Sequence, residues 1–581
     1  MIKKKKYSLT FILSIVSIIG IHSVYSINTF ILLILFFISF KIILYSFDIK
    51  CNKRSLLTNF IFSLLFSFCQ VIGYNCIKYD SGLLNSFFKT YFKIILLMPI
   101  TLSATNIILN ISLKKIEQQK IKLFELKNSF FMIAIIIFLF QLPVLISFYP
   151  GNFSYDAGIQ LNSYLSNNIT KYHPVIHTLM LGKIIAFGYT YFHSYKIGIF
   201  IYSMIQMLIM DFIFSYILNY LYKKKVNNML CILSLLIYTF LPTHTIFSFT
   251  TTKDIIFSGL VSIMLLDFIE LKENANKTLL FSLIIFIFLS LIFRNNMIYA
   301  FIISLPYIFF IYRKNIKKIG IICLTPLILY IIYNSALTNI FHIKNGPKVE
   351  YLSVFIQQLG RTYNKDKLTK KEKKQIEDLF NTNALSKYNS HISDPIKGEF
   401  NYYNLEKNPK KNKKLYLELF QKNKLTFIDS FLISNYSFTY LENKIPNLGT
   451  EVYIGITCLD YKKLIRKNYE CNKNFEPIYN IYYNLVSKAK YQNVPILNIL
   501  MNMAVYVWLL FLTICKLIYK KSYKELVGVV ILLCLFLTNL FGPVAIVRYI
   551  YPFFVSAPLL LYLLLKKEDW ILVNDVKHNF L

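Results

Sequence analysis

Apolar runs of about 20 residues, separated by short polar stretches, recur along nearly the whole chain. A run of that length crosses the ~30 Å hydrocarbon core of a bilayer as a helix. Helices are the expected spanning form because lipid offers no partner to backbone N–H and C=O groups. The pattern predicts fourteen spans, near residues 7–25, 28–46, 57–74, 93–112, 129–149, 195–220, 228–246, 254–270, 278–293, 297–312, 319–341, 497–515, 526–541 and 548–565. Two polar interruptions are long, from about Pro150 to Ser194 and from about His342 to Val494. The second is long enough for a small folded domain. The predicted fold class is an all-α polytopic membrane protein carrying one extracytoplasmic domain, mixed or mainly helical.

Charge supplies the orientation. Met1 to Lys6 followed by an apolar run mimics a signal peptide, and Val24-Tyr25-Ser26 resembles a weak cleavage site. A second apolar run follows almost at once, so the first is read as an uncleaved span. With the N-terminus inside, the cytoplasmic loops carry Lys50, Lys53 and Arg54; Lys114, Lys115, Lys120, Lys122 and Lys127; Lys223 to Lys225; Lys272 and Lys277; Arg313, Lys314, Lys317 and Lys318; and Lys516, Lys520, Lys521 and Lys524. Lys566 and Lys567 begin the tail. The short outer loops are nearly free of Lys and Arg, the positive-inside pattern. The Lys-rich segment 342–494 does not contradict it, because long loops translocate largely regardless of charge. The expectation is a multi-pass protein of the cell membrane with both termini cytoplasmic. Its parts are a four-helix module at 1–128, a membrane core at 129–341 with outer loop 150–194, an outer domain at 342–496, and C-terminal helices with a tail at 497–581.

Composition narrows the function classes. The chain has 581 residues, 56% of them hydrophobic, which excludes an ordinary soluble protein. Its net charge of +35 would suggest nucleic acid in a soluble domain. Here anionic head groups beside the cytoplasmic loops account for it, and the bilayer, not nucleic acid, is the expected partner. The nine cysteines are scattered and form no CxxC or Cys/His cluster, so no metal site is expected from them. Cys458 and Cys471 fall in the outer segment, where a disulfide is open to formation.

Candidate chemistry gathers on one side. Tyr149-Pro150-Gly151-Asn152-Phe153-Ser154-Tyr155-Asp156 ends the fifth span and opens the first long loop. Asp156 there is either a group that accepts a proton or holds a metal, or the N-cap of the stretch Ile159 to Leu165. Lys171-Tyr172-His173-Pro174-Val175-Ile176-His177-Thr178 places two histidines on one helical face. No third metal ligand stands nearby. His173 suits a phosphate or sugar contact, whereas His177 reads as an ordinary hydrogen-bonded residue of an interfacial helix. Lys253 and Asp254 open the eighth span, Arg294 precedes Asn295-Asn296 in the next outer turn, and Arg548 opens the last span. Short outer loops should avoid cations, and ionisable groups at membrane depth are costly and often functional. Guanidinium binds phosphate bidentately and stays charged.

The motifs Pro150-Gly151-x-Phe153-Ser154-Tyr155-Asp156, His173-Pro174-x-x-His177-Thr178, Thr252-Lys253-Asp254, Arg294-Asn295 and Arg548-Tyr549-x-x-Pro552 resemble those of a bacterial family of polytopic proteins related to GT-C glycosyltransferases. Glu350 to Leu359 and Ser393-Asp394-Pro395-Ile396-Lys397 fit as well. The resemblance spans roughly residues 129 to 565 and leaves the first four spans as an added module. It implies transfer of a sugar from a polyprenyl-phosphate donor to an envelope polymer, lipid or protein. Asp156 would be the catalytic carboxylate. His173, Lys253, Asp254, Arg294 and Arg548 would contact substrate, with a divalent metal left open as cofactor. Many GT-C enzymes carry paired acids at this point, whereas Asp156 is followed by Ala157. The rival expectation is a transporter or flippase of lipid-linked or anionic substrates. It asks for ionisable groups and broken helices at the midplane, and Asp211 and Asp267 are its candidates.

Overall fold

The computed structural model describes residues 2–25, 27–49, 51–83, 87–111, 121–272, 276–381, 383–442, 458–460, 465–467 and 475–566. Lys50, Lys114, Lys115, Lys120, Cys471 and Lys567, used above, lie outside the described residues. Among the described residues, nine helices are long and apolar enough to cross a membrane. The number is eleven if two bent pairs each count as one span. The chain is a multi-pass, all-helical membrane protein in its bundle.

Both bends have local causes. Asn228–Phe240 and Pro242–Ser248 meet at 54°. Leu241 between them is extended (ψ 123°), as a residue before proline prefers. Pro495–Met501 and Met503–Tyr519 meet at 61° at Asn502. That residue is extended too, and its side chain caps the second helix at Ala504 N.

Every run expected from the sequence coincides with a helix or a bent pair. Three of these helices, Lys277–Phe293, Met297–Ile311 and Leu526–Asn539, are apolar but shorter than the nine. The helix Lys253–Glu270 is also outside the nine, yet Asp254 to Ile269 are all buried. It packs against Tyr195–Lys223, Lys277–Phe293, Leu526–Asn539 and Val547–Leu565, which makes it the axis of the bundle. One expectation changes. Residues 150–194 read as an outer loop, but Val175–Phe192 within it is a helix apolar and long enough to be among the nine. Leu181, Ile185 and neighbouring apolar residues supply its hydropathy, and it pairs closely with Tyr195–Lys223 where Gly188 meets Gly198.

The domain after residue 342 is mainly helical. Ile356, Leu359, Ile396, Leu415, Leu419 and Phe427 form its core. A two-stranded antiparallel ribbon, Cys458–Asp460 with Ile465–Lys467, is its extended part. Among the contacts that hold this domain on the bundle, Ser393 N donates to Pro543 O (3.0 Å), Asn435 Nδ2 to Leu540 O (3.0 Å) and Lys171 N to Lys344 O (2.8 Å). Another engages the N-terminal helices. Buried Arg361 donates to Asp429 Oδ2 (2.7 Å) and to Asp80 O (2.7 Å), while Asp429 Oδ1 accepts from Leu83 N (2.9 Å). Phe62 and Phe66 of Lys53–Tyr79 also pack edge-on against Trp508. The first helices therefore dock on both the domain and the C-terminal bundle.

Candidate functional site

Two loops and two helix starts build one cluster at the domain side of the bundle. Asn152 Nδ2 donates to Thr250 Oγ1 (2.9 Å), and Thr251 N donates to Asn152 O (3.0 Å). Gln206 Nε2 holds the second loop through Ser248 O (3.0 Å) and Thr250 O (2.7 Å). Gly151 lies at φ 127° against Ser203, where a Cβ would collide with the hydroxyl. Tyr155, at φ 56°, occupies left-handed backbone that a bulky residue adopts at a cost of about 1 kcal/mol or more. That turn delivers Asp156 toward the start of Lys253–Glu270.

All six residues singled out from the sequence converge here. Asp156 Oδ2 accepts from Lys253 Nζ at 2.5 Å and from Arg548 Nη1 at 3.2 Å. Lys253 Nζ also donates to His173 Nδ1 at 3.4 Å, and His173 Nδ1 is 3.9 Å from Asp156 Oδ2. Arg294 Nη1 donates to Asp254 Oδ1 at 2.8 Å, and Arg548 Nη1 lies 3.7 Å from Asp254 Oδ2. Arg294 and Asp254 are buried, while Asp156 keeps 23% of its side chain exposed. Asp156 stands at the N-cap of Ala157–Leu165, yet its side chain makes no capping bond. Its carboxylate faces the cations.

Two features mark the cluster as built for negative charge. Lys253 and Arg548 sit in the first turns of long helices, where the macrodipole disfavours cations and favours anions. The neighbouring carboxylates offset that in part. In addition, Lys253 is a donor only, so His173 Nδ1 accepts and the neutral ring carries its proton on Nε2. That Nε2–H is buried and has no partner among the described residues, and the same holds for Arg548 Nε. Two orphaned donors next to three cations ask for an acceptor-rich ligand.

Ionisation follows from the surroundings. Burial opposes the charged form of Asp156, but Lys253, Arg548 and His173 outweigh it and hold the carboxyl well below its usual range. Burial, reinforced by Lys253, pushes His173 down to about 4. At neutral pH the cluster is an ionised Asp156, a neutral His173, three cations and Asp254. Among the described residues, no three His, Cys, Asp or Glu side chains converge as metal ligands.

A family model matches residues 161–571, about seven-tenths of the chain. The chain belongs to DUF6020, a family of unknown function. No curated protein and no solved structure matches it. The DUF6020 match contains His173, Lys253, Asp254, Arg294 and Arg548, whereas Asp156 lies five residues before it.

In this DUF6020 chain His177 does not join the cluster. It is buried, with Nε2 2.8 Å from Tyr202 Oη and Nδ1 3.2 Å from Gln160 Oε1, the ordinary hydrogen-bonded histidine that the sequence suggested. Other residues of the site were not singled out for a role from the sequence, although Tyr155 and Tyr549 stand in the motifs quoted above. The Arg548 guanidinium lies over Tyr155 at 4.4 Å. Arg294 lies over Tyr549 at 5.0 Å and reaches Asn539 Oδ1 at 3.4 Å. Tyr172 packs on His173 with ring centroids 4.2 Å apart. In a chain with 44 tyrosines these were not separable from membrane-interface aromatics.

Proposed function

We propose that this protein is a GT-C-type membrane glycosyltransferase that moves a sugar from a polyprenyl-phosphate donor to a cell-envelope acceptor on the outer face. The observation that carries the reading is the orphaned donor pair, His173 Nε2 and Arg548 Nε, beside Lys253, Arg294 and Arg548. A sugar-bearing lipid phosphate has the charge and the acceptors such a site lacks, and the leaving phosphate gains negative charge as the glycosidic bond breaks. Asp156 at rest is neutralised by two cations and is therefore a weak base. A phosphate that recruits Lys253 and Arg548 leaves Asp156 less paired and more basic, ready to take the acceptor's hydroxyl proton. Donor binding thus readies the base. The domain after residue 342, which meets the bundle at Lys171 and Pro543, would choose the acceptor.

The proposal includes fourteen crossings with both termini cytoplasmic. The helix Val175–Phe192 carries exposed Lys183 at its middle. A lysine facing lipid at the bilayer centre costs about 3 kcal/mol or more. That helix therefore lies as a hairpin arm beside the site and leaves the loop charge alternation intact.

The test is incorporation of labelled sugar from a polyprenyl-phosphate donor by the purified chain in nanodiscs. Transfer that disappears in Asp156→Asn supports the reading, and no transfer to any membrane acceptor overturns it. The bent helix pairs favour a second reading, a transporter or flippase of the same anionic lipids. It predicts movement of the donor across the bilayer without consumption of its sugar.

A further inference from the structure

The helix Tyr195–Lys223 runs the depth of the bundle. Its Ser203 lies against Gly151 at the domain side, and its Asn219 bonds Ser129 Oγ (2.8 Å) at the other end. Asp211 stands midway between them. It is fully buried, and neither carboxyl oxygen has a hydrogen-bond partner among the described residues. A carboxylate in that position is unpaired in hydrocarbon, the costliest state for the group. Protonation removes the charge.

The groups that face this level come from several elements. Val547–Leu565 contributes Tyr551, which lies within electrostatic reach of Asp211. Pro242–Ser248, beyond the first bend, contributes His244, buried, with Nδ1 3.0 Å from Tyr551 Oη and Nε2 without a partner among the described residues. Asn228–Phe240 contributes Tyr238, whose hydroxyl donates to Val555 O (2.6 Å). Ser129–Ser147 contributes Gln141, engaged with Tyr238 O and Ser248 Oγ. Lys253–Glu270 contributes Ser258 and Ser262, while its acids Asp254, Asp267 and Glu270 lie toward the two ends. Among the described residues, no cation hydrogen-bonds to Asp211. Tyr551 follows Arg548 by three residues and so shares its helix face, and Arg548 contacts Asp156.

We propose that Asp211 is a proton-binding site in the middle of the membrane, exchanging its proton with water at the domain side by way of Tyr551 and His244. The Tyr551 hydroxyl, 3.0 Å from His244 Nδ1, can donate and accept in turn, while His244 Nε2 and both Asp211 oxygens lack partners among the described residues. The inference does not depend on sugar transfer, because it rests on side chains below that site.

Infrared difference spectroscopy on the full chain in nanodiscs tests it. At pH 7 the wild type should show the carbonyl stretch of a protonated carboxylic acid that Asp211→Asn lacks, and the band should shift on transfer to D2O. Identical spectra in that region overturn the site, as would a carboxylate signal from a bound cation. Tyr551→Phe and His244→Gln should each slow the D2O shift at least tenfold, and unchanged rates overturn the route. Should Asp211→Asn fail to assemble, a hydrophobic carbodiimide, which adds to protonated carboxyls in apolar surroundings, reads the wild type directly. A mass adduct on the Asp211 peptide supports the site, and an unmodified peptide at saturating reagent overturns it.

Discussion

Replacing Asp156 by Asn separates the chemistry of this site from its architecture. Asn keeps the size and still accepts one hydrogen bond from Lys253, but it removes a charge that two cations share at 2.5 and 3.2 Å. The cluster holds three cations against Asp156 and Asp254 with His173 neutral, so the substitution raises its net charge from +1 to +2. Breaking a fully buried pair costs about 3–5 kcal/mol. Asp156 is 23% exposed, and water penetration reduces the stability loss to about 2 kcal/mol. The variant should therefore insert and fold, with a modestly lower melting temperature. Sugar transfer should fall by on the order of 100-fold or more, the scale for removing a general base. Capping predicts otherwise: Asn caps as well as Asp, and the side chain makes no capping bond in any case. The assay is labelled-sugar incorporation from a polyprenyl-phosphate donor at matched expression. Activity within a few fold of wild type would refute the catalytic assignment and shift the weight to lipid translocation.

Arg294→Ala removes the nearest cation from buried Asp254 and leaves it Arg548 at 3.7 Å, so it should lower stability by about 3 kcal/mol as well as function; a melting temperature equal to wild type refutes this. Arg361→Met strands Asp429 in the same way and should loosen the 353–442 domain, seen as faster limited proteolysis there while the membrane bundle stays protected; unchanged cleavage rates count against the contact as a tie. His173 is depressed to about 4 from an ordinary 6.5, so the folded state binds fewer protons than the unfolded chain between those values. Its stabilisation is complete above pH 6.5 and is lost as pH falls toward 4, by about 3 kcal/mol. His173→Gln should lessen the slope of melting temperature across that window, the remaining slope coming from the other buried histidines, His177 and His391 among them; an unaltered slope contradicts the assignment. Cysteines placed near Lys411 should label on intact cells and those near Lys224 should not, and the reverse pattern overturns the orientation.

Hydrophobic run length exposed the membrane helices because each spanning helix must satisfy its own backbone, and this leaves a mark in nearly every residue of the run. The bends at Leu241 and Asn502 left weaker marks. Pro242 signals the first in hindsight, whereas Asn502 acts through an extended backbone and a cap that any polar loop residue would resemble. From sequence alone the helix Val175–Phe192 reads as loop because His177 and Lys183 dilute its apolar run, although its buried face is continuous against Tyr195–Lys223. Docking of the N-terminal helices on the later domain was not legible at all. Arg361 and Asp429 are 68 residues apart, and Asp80 is 281 residues from Arg361.

The cluster itself was legible for an electrostatic reason. Lys253, Arg294 and Arg548 stood out because each breaks the loop charge rule, and residues that break a rule with an energetic cost are retained where something offsets the cost. The structure shows one offset for each: Asp156 for Lys253 and Arg548, and Asp254 for Arg294. Carboxylates alone would have made these pairs structural and self-contained. The remaining excess of one positive charge, with His173 Nε2 and Arg548 Nε unanswered, is what separates the cluster from a buried ion-pair network. Asp211 breaks a rule of the same kind without any offset in view. A cation cluster short of an anion and a carboxyl short of a cation lie at different depths of the same bundle, and Tyr551, three residues after Arg548, shares its helix face. If the Asp211 band in the infrared proves to respond when an anionic lipid phosphate occupies the upper cluster, the two are coupled; a band indifferent to that ligand would make them separate devices.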